Sequence, residues 1–281
     1  MSDVPSLLLN DGNQIPQLGF GTYQIDPSDT VATVTQALKI GYRHIDTAQM
    51  YGNEAEVGQA IRESGLDRSE IFVTSKLNNG FHEPDEARKA FADTLEKLGL
   101  DYIDLFLIHW PLPSRYNGDF VSTWKTLEGF QKDGRAKSVG VSNFEVDHLK
   151  KLANECDLTP AVNQIELHPY FQNREVAKYC AENGIAVEAW SPIAQGDVLD
   201  DEVLKQIADK YEKSTAQVTL RWHVQKGYIV FPKSVTHERI ESNFDIFDFE
   251  LTSDEVTKID SLDKSKKGRR GPDPATFDYI P

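Results

Sequence analysis

Short apolar runs alternate with amphipathic segments along almost the whole chain. Runs of this length predict buried strands, and we expect eight of them, at 18–21, 44–46, 71–77, 103–109, 136–141, 161–166, 186–190 and 228–231. Between them, apolar residues recur every three or four positions and predict helices at 30–40, 54–63, 84–98, 120–132, 146–154, 174–182 and 202–225, the last broken near Lys213. Such alternation is typical of a parallel sheet covered by helices.

The repeat favours one particular parallel architecture. Eight strand-helix units in about 250 residues fit an α/β fold of the (β/α)8 TIM-barrel type better than an open doubly wound sheet. The sequence has no GxGxxG motif, and Gly19-Phe20-Gly21 is only a GxG, which tight turns explain well. We therefore predict a closed barrel. No linker or low-complexity tract divides the chain, so we expect residues 1–281 to form a single domain.

Two segments lie outside the eight units. An Asp11-Gly12 turn between short apolar pieces predicts an N-terminal β-hairpin. Residues 253–262 predict an extra C-terminal helix, and a tail rich in basic residues follows at 264–281. In a barrel such a tail can fold over the face that carries the loops, or it can remain mobile, and the sequence does not choose between the two.

Composition and charge narrow the class of protein. The 281 residues carry a formal net charge of −15, which argues against binding to a nucleic acid, and no run approaches the ~18 apolar residues of a membrane helix. The first residues lack the basic and apolar regions of a signal peptide, so we expect a cytoplasmic protein without a membrane partner. Cys156 and Cys180 form no CxxC motif and are expected to be packing thiols.

Four residues with catalytic chemistry follow the predicted strands. Asp46, Lys76 and His109 end strands two, three and four, and Tyr51 comes five residues after strand two. Catalytic residues of a (β/α)8 barrel come from these strand ends, so we expect the four side chains to converge. Lys76 would lower the pKa of the phenol, Asp46 would keep Lys76 charged, and His109 would orient a carbonyl oxygen. Taken singly, each residue also has an ordinary structural explanation.

With these residues, the sequence resembles the aldo-keto reductase family from the hairpin to the residues after strand eight. The segments 41–48 and 51–54 match the family's first signature, and the segments 74–77 and 107–111 match those that carry its lysine and histidine. The resemblance implies hydride transfer from a nicotinamide to an aldehyde or ketone. Tyr51 would then be the general acid, Lys76 and Asp46 would tune it, and His109 would position the carbonyl.

The resemblance also implies a cofactor site. Ser142, Asn143 and Gln164 match positions that hold the nicotinamide carboxamide, and Trp190 matches a ring that stacks on the nicotinamide. Ser191 and the loop 193–196 match the stretch along the pyrophosphate. The residues that match the adenosine site are Lys233, Ser234, Val235, Arg239 and Asn243. Because Lys233 and Arg239 suit a 2′-phosphate, the implied cofactor is NADPH rather than NADH.

Some positions depart from the family pattern. Asn78 stands where many members have a tryptophan, and Ser242 replaces a glutamate near the adenine. The loop 113–119 is short, which implies an open cleft. The bacterial 2,5-diketo-D-gluconate reductases are the subgroup that looks most similar, through the segments 9–13, 162–169 and 221–223. The residues expected to face the substrate are Tyr23, Asn78 and Trp110.

We therefore predict an NADPH-dependent aldo-keto reductase that converts small polar carbonyls, α-dicarbonyls or keto sugar acids such as 2,5-diketo-D-gluconate to alcohols. Two alternatives stay open at this point. Lys76 could form a Schiff base in a class I aldolase-like lyase, or the protein could bind NADPH as a non-catalytic regulator. No metal is expected, because strand one has no HxH motif. We expect a monomer whose partner is a small carbonyl substrate, not a nucleic acid.

Overall fold

The computed structural model describes residues 4–281, and its first element is the predicted hairpin. Strands β1 (Ser6–Leu8) and β2 (Gln14–Pro16) pair antiparallel around a turn at Gly12, whose φ of 88° suits a residue without a side chain. Leu9 and Ile15 are buried among residues of the barrel strands, namely Phe72, Leu105, Leu107, Val162 and Ile229. The hairpin therefore closes the end of the barrel at which the strands begin.

Eight parallel strands form the barrel. They are β3 (Phe20–Gly21), β4 (His44–Asp46), β5 (Phe72–Leu77), β6 (Ile103–Ile108), β7 (Ala136–Ser142), β8 (Val162–Glu166), β9 (Ala186–Trp190) and β10 (Ile229–Val230), and they pair in chain order. The two edges meet in a parallel bridge between Leu18 and Val230, where the Gly19 amide donates to the Val230 carbonyl at 2.7 Å. The TIM-barrel prediction is confirmed, although β3 and β10 are shorter than expected.

Helices cover the outside of the barrel in the predicted intervals. They are α1 (Pro27–Ile40), α2 (Glu54–Glu63), α3 (Pro84–Leu98), α4 (Phe120–Lys132), α5 (Val146–Glu155), α6 (Arg174–Glu182), α7 (Glu202–Tyr211) and α8 (Thr215–Gln225). The break near Lys213 separates α7 from α8. Glu212 ends α7 with a left-handed φ of 54°, and Ser214 starts α8 with a capping box to Gln217.

Two further helices follow the last strand. Helix α9 (His237–Phe244) is not predicted by the sequence, because its eight residues bury only Ile240 and so lack repeated apolar positions. The extra C-terminal helix is confirmed as α10 (Ser253–Asp260), which begins with a capping box between Thr252 and Glu255. Across residues 4–281, none of the helices has the length and apolar character that crossing a bilayer requires.

Alternation along the strands gives the sheet two different faces. Outward residues such as Ile45, Val73, Phe106 and Val187 lie in the apolar core between strands and helices. The inward positions toward the carboxyl ends include the buried polar residues His44, Asp46, Thr74, Lys76, Gln164 and Glu188. A barrel interior is normally filled by branched apolar side chains, so this polar layer marks the end at which a site is built.

The tail after α10 folds over the loop face of the barrel. The amides of Arg270 and Gly271 donate to the Glu166 carboxylate, at the end of β8, over 2.5 and 2.8 Å. Farther along, the Phe277 ring centroid lies 4.1 Å from that of Trp110. Of the two states considered for the tail, the structure has the folded one. The tail covers part of the cleft that the short loop 113–119 was expected to leave open.

Candidate active site

Lys76 is the centre of the site. Strand β5 directs its side chain into the barrel, where Lys76 is fully buried. Its ammonium donates to Asp46 Oδ1 at 2.7 Å, to the Thr47 carbonyl at 2.9 Å and to the Tyr51 hydroxyl at 3.2 Å. All three ammonium hydrogens have acceptors. A single cation therefore holds the predicted neighbours Asp46 and Tyr51 together.

A tight turn carries Tyr51 to this cation. Strand β4 ends at Asp46, and a short 3-10 helix, Gln49–Tyr51, follows it. Gly52 ends that helix with a φ of 69°, a backbone conformation that residues with a side chain rarely adopt. The sequence places Tyr51 on a loop, and the structure shows that this loop is one ordered helical turn.

For both Lys76 and Tyr51, burial shifts the pKa in one direction and the charged neighbours shift it in the other. Burial by itself lowers the pKa of Lys76, but Asp46 and then Tyr51 outweigh it, so that the pKa lies above its usual value. Burial also raises the pKa of Tyr51 to about 12, although the cation of Lys76 opposes that shift. The predicted effect of Lys76 on the phenol is present, but it is smaller than the effect of burial. At neutral pH the site holds an ammonium beside a protonated phenol.

His109 completes the predicted group of four. It follows the last residue of β6, and its ring centroid lies 5.9 Å from that of Tyr51. Burial, with smaller contributions from Lys76 and His82, lowers the pKa of His109 well below its usual value, so the imidazole is neutral. Its Nδ1 is buried without a hydrogen-bond partner among residues 4–281. A neutral imidazole in this position can donate one hydrogen bond to a bound oxygen.

A second polar group stands next to the first. Asn143 has a left-handed φ of 64°, donates to the His109 carbonyl at 3.0 Å and accepts from Trp190 Nε1 at 2.8 Å. Gln164 Nε2 donates to Asp46 Oδ2 at 2.8 Å. The structure thus brings three predicted carboxamide-binding positions, Ser142, Asn143 and Gln164, together with Trp190 at the same strand ends. Left-handed residues other than glycine cluster at functional sites.

The loop after β9 has the same backbone character. Ser191, Ala194 and Gln195 all have positive φ values, of 50°, 50° and 56°. Within this loop, Asp197 accepts from Arg270 Nε of the tail at 2.5 Å. The segment predicted to lie along the pyrophosphate is therefore a tightly turned loop held by the tail.

The five predicted adenosine-site residues lie between β10 and the end of α9. Lys233 and Arg239 are exposed, while Ser234 is buried and its hydroxyl accepts from the Thr236 amide at 3.1 Å. Val235 is exposed, and Asn243 is partly buried near the end of α9. This segment lies at the same carboxyl end of the barrel as Asp46, Tyr51, Lys76 and His109, which together are called the tetrad. The Gly21 amide, at the end of β3, donates to the Pro232 carbonyl at 3.4 Å.

The predicted substrate residues differ in how they could meet a ligand. The Tyr23 ring lies 5.1 Å from that of Tyr51 and is 57% exposed. Trp110 is nearly buried against Phe277. Asn78 Oδ1 accepts from the Gly80 amide at 2.9 Å, so this side chain is engaged in its own turn. The polar wall expected from Asn78 is therefore partly satisfied within the protein.

Sequence reasoning missed three residues of this site. Glu188 is fully buried two positions before Trp190, and a glutamate within an apolar strand was a signal that could have identified it. Glu166 ends β8 in the same way and holds the tail. Phe277 gave no signal, because only the folded tail brings it to Trp110. Across residues 4–281, no group of three or more His, Cys, Asp or Glu side chains could hold a metal ion.

Comparison with known proteins identifies the family. A family model described as "Aldo/keto reductase family" matches residues 17–264. The chain belongs to the aldo/keto reductase family. An aldo-keto reductase of Mycolicibacterium smegmatis is 50% identical over 275 residues, which cover 98% of each chain. Methylglyoxal reductase DkgA of Escherichia coli K12 is 46% identical over 279 residues, which cover 99% of each chain.

Solved structures agree with this assignment. A crystal structure of a Gox0644 variant in complex with NADPH is 41% identical to this aldo-keto reductase, with a TM-score of 0.94, and the match covers 99% of this chain and 100% of that chain. The predicted family is confirmed, as is the predicted architecture. The roles assigned to individual side chains stay predictions.

Proposed function

We propose that this aldo-keto reductase uses NADPH to reduce small uncharged aldehydes and α-dicarbonyl compounds to alcohols. The observation that carries the proposal is the buried Lys76 ammonium, which joins Asp46 and the Tyr51 hydroxyl in one contact. The NADPH complex of the Gox0644 variant and the name of the E. coli relative support the cofactor and the substrate class.

The polar atoms around Asn143 and Gln164 fit a nicotinamide carboxamide. Gln164 Oε1 makes no hydrogen bond within residues 4–281, although both hydrogens of its amide nitrogen are engaged. The Ser142 hydroxyl donates to the Gln164 carbonyl, and the Asn143 amide nitrogen donates to the His109 carbonyl and to Ser142 Oγ, so these two side chains offer only oxygen lone pairs to a ligand. The partly exposed Trp190 offers a flat ring for stacking. When NADPH is bound there, it supplies the hydride. Lys233 and Arg239 would hold its 2′-phosphate beside Ser234, Val235 and Asn243, while Ser191 would lie along the pyrophosphate.

Tyr51 is the proposed proton donor. With a pKa near 12 the phenol keeps its proton at neutral pH, and it transfers that proton to the carbonyl oxygen as the carbonyl carbon becomes reduced. The phenolate that forms lies against the Lys76 ammonium at 3.2 Å. Because the cation favours phenolate over phenol, it stabilises the transition state more than the ground state. Asp46 fixes the position of Lys76.

His109 is the proposed orienting group for the carbonyl oxygen. Its low pKa keeps the imidazole neutral, so it can donate a hydrogen bond without adding a second cation beside Lys76. Its ring stands close to that of Tyr51. An oxygen between the two rings would receive a hydrogen bond from each of them.

The charge around the site favours uncharged substrates. Each of three arginines at the tail side of the cleft is paired with a carboxylate, in the pairs Arg115–Asp278, Arg269–Glu145 and Arg270–Asp197. None of these three guanidinium groups is left free to bind a substrate carboxylate, and the whole chain carries a net charge of −15. The nearby walls are aromatic, from Tyr23, Trp110 and Phe277. A small neutral dicarbonyl suits such a pocket better than a keto sugar acid does.

The test is NADPH oxidation with a panel of methylglyoxal, an aromatic aldehyde and a keto sugar acid. We expect the largest kcat/KM for methylglyoxal and the smallest for the keto sugar acid. A larger value for the keto sugar acid would overturn the proposed substrate class, and no oxidation with any compound would overturn the reductase. The Schiff-base alternative predicts inactivation by borohydride in the presence of substrate, which the engaged, protonated Lys76 amine disfavours.

A further inference from the structure

Glu188 is a buried acid that the proposed reaction does not use. It lies on β9, points into the barrel and has no exposed surface. Its Oε2 accepts from Gln164 Nε2 at 2.7 Å, while its Oε1 has no partner within residues 4–281. A buried carboxyl group with one unsatisfied oxygen is costly for the fold, so its presence calls for a reason.

Gln164 is the link between Glu188 and the tetrad. The same amide nitrogen donates to Asp46 Oδ2 at 2.8 Å. A primary amide has two hydrogens, so the two carboxyl groups take both of them. Only the Oε1 of Gln164 is left to meet a ligand. This oxygen makes no hydrogen bond within residues 4–281, and it is not fully buried. The orientation of the Gln164 amide is thus determined by two acceptors.

In the part of the chain that the structure describes, Glu188 has no hydrogen-bond partner besides Gln164. His44 of β4 is 3.9 Å away, too far for a hydrogen bond, and its Nε2 already meets Thr74 Oγ1 at 3.1 Å. Asp46 of β4 and Lys76 of β5 are the charged groups nearby, and Ile229 of β10 pairs with Glu188 in the sheet. Gln164 is therefore the group on which Glu188 acts.

We propose that Glu188 is a positioning residue for the nicotinamide carboxamide. It accepts one amide hydrogen of Gln164 while Asp46 accepts the other, and this turns the Gln164 Oε1 toward the cofactor to receive the carboxamide N–H. The inference rests on the proposed role of Gln164 in holding the carboxamide. Without Glu188, the amide can rotate and present its nitrogen, which cannot accept that N–H.

The experiment compares Glu188→Leu and Glu188→Gln with wild type in calorimetric binding of three ligands. NADP⁺ carries the carboxamide, its 3-acetylpyridine analogue lacks the carboxamide N–H, and 2′,5′-ADP lacks the whole nicotinamide half. We expect wild type to bind NADP⁺ about tenfold more tightly than the analogue, as one hydrogen bond would give. Glu188→Leu should lose about tenfold for NADP⁺ and about twofold or less for the other two ligands. Glu188→Gln keeps an acceptor and should restore the preference.

A matched control removes another buried carboxyl group. Glu54→Leu deletes an acid that accepts from Ser75 and Thr94 and lies outside the proposed cofactor site. This variant should lose thermal stability without changing the preference for NADP⁺ over the analogue.

Three results would overturn the inference. Retention of the tenfold preference by Glu188→Leu would show that Glu188 does not orient Gln164. An equal loss for all three ligands would indicate general damage to the fold. If wild type itself does not distinguish NADP⁺ from the analogue, the proposed role of Gln164 fails first, and this outcome is separate from the other two.

Discussion

Among residues 4–281, the hydroxyl of Tyr51 has one hydrogen-bond partner, the Lys76 ammonium at 3.2 Å. We predict that Tyr51→Phe leaves the dissociation constant for NADPH almost unchanged and lowers kcat about a thousandfold, because it removes the proton donor and little else. Stopped-flow NADPH oxidation and calorimetry measure the two quantities. Tyr102→Phe, at the start of β6 and thus at the opposite end of the barrel, is the control and should keep wild-type turnover. Wild-type turnover in Tyr51→Phe would remove the phenol from the acid role.

The raised pKa of Glu188 predicts that the free energy of unfolding depends on pH. Burial raises the pKa of Glu188 from an ordinary 4.5 to about 8, so the folded state holds a proton that the unfolded state releases above pH 4.5. The native state therefore loses stability as pH rises between about 4.5 and 8. Glu188→Gln cannot ionise and should escape this loss. Urea unfolding of both proteins at pH 5 and pH 9 should show the variant gaining on wild type at the higher pH, and a constant difference would contradict the assignment.

Sequence reasoning worked at the residue scale where strand ends carry chemistry. Asp46, Lys76 and His109 could be named because a titratable side chain at the end of an apolar run is unusual. The net pKa of Tyr51 could not be inferred in the same way, because it depends on how deeply the fold buries the phenol. Glu188 needed the same three-dimensional information, since only the barrel shows that it meets Gln164.

At the scale of elements, the loop after β10 and helix α9 carry the proposed phosphate contacts. Lys233 and Arg239 are exposed, and neither forms an ion pair with another residue in the range 4–281. The first turn of α9 adds free backbone amides, which favour an anion. We predict that Lys233→Met or Arg239→Ala weakens NADPH binding about tenfold and NADH binding about twofold or less. Fluorescence titration with the two cofactors measures both constants.

The control for this pair is another exposed lysine. Lys258→Met lies on α10, away from the proposed phosphate site, and should affect both cofactors equally little. If the Lys233 and Arg239 variants weakened NADPH and NADH to the same extent, they would contact a part common to both cofactors, and the assignment of the 2′-phosphate would be wrong.

Elements with a repeated or continuous apolar pattern were the ones that the sequence could predict. Helix α3 repeats apolar positions over four turns, and its bounds agree with the prediction. Helix α9 and the tail do not have such a repeated apolar pattern. Each is fixed by a few contacts with distant parts of the chain, such as those from Arg270 and Gly271 to Glu166. Local patterns hold no information about such contacts.

The net charge of the whole molecule should make kcat/KM for an anionic substrate depend on ionic strength. A net charge of −15 repels an anionic substrate over a distance set by the ionic strength, and the Debye length falls from about 30 Å at 0.01 M to about 10 Å at 0.1 M salt. With NADPH saturating, we predict that kcat/KM for a keto sugar acid rises severalfold across this range, whereas kcat/KM for methylglyoxal stays constant. Steady-state assays at the two ionic strengths measure this. A falling value for the keto sugar acid would reveal a local cationic site that attracts it.

The place where the two edges of the sheet meet, between β3 and β10, has a consequence for the order in which parts of the chain fold. Leu18 and Val230 meet there although about three quarters of the chain lies between them, and such distant contacts form slowly because closing a long loop costs entropy. Asp46, Tyr51 and Lys76 are close in sequence and can come together early. Gln164 and Glu188 join them only when the second half of the ring docks. We therefore expect a newly synthesised chain to possess its proton donor before it has a seat for the hydride carrier.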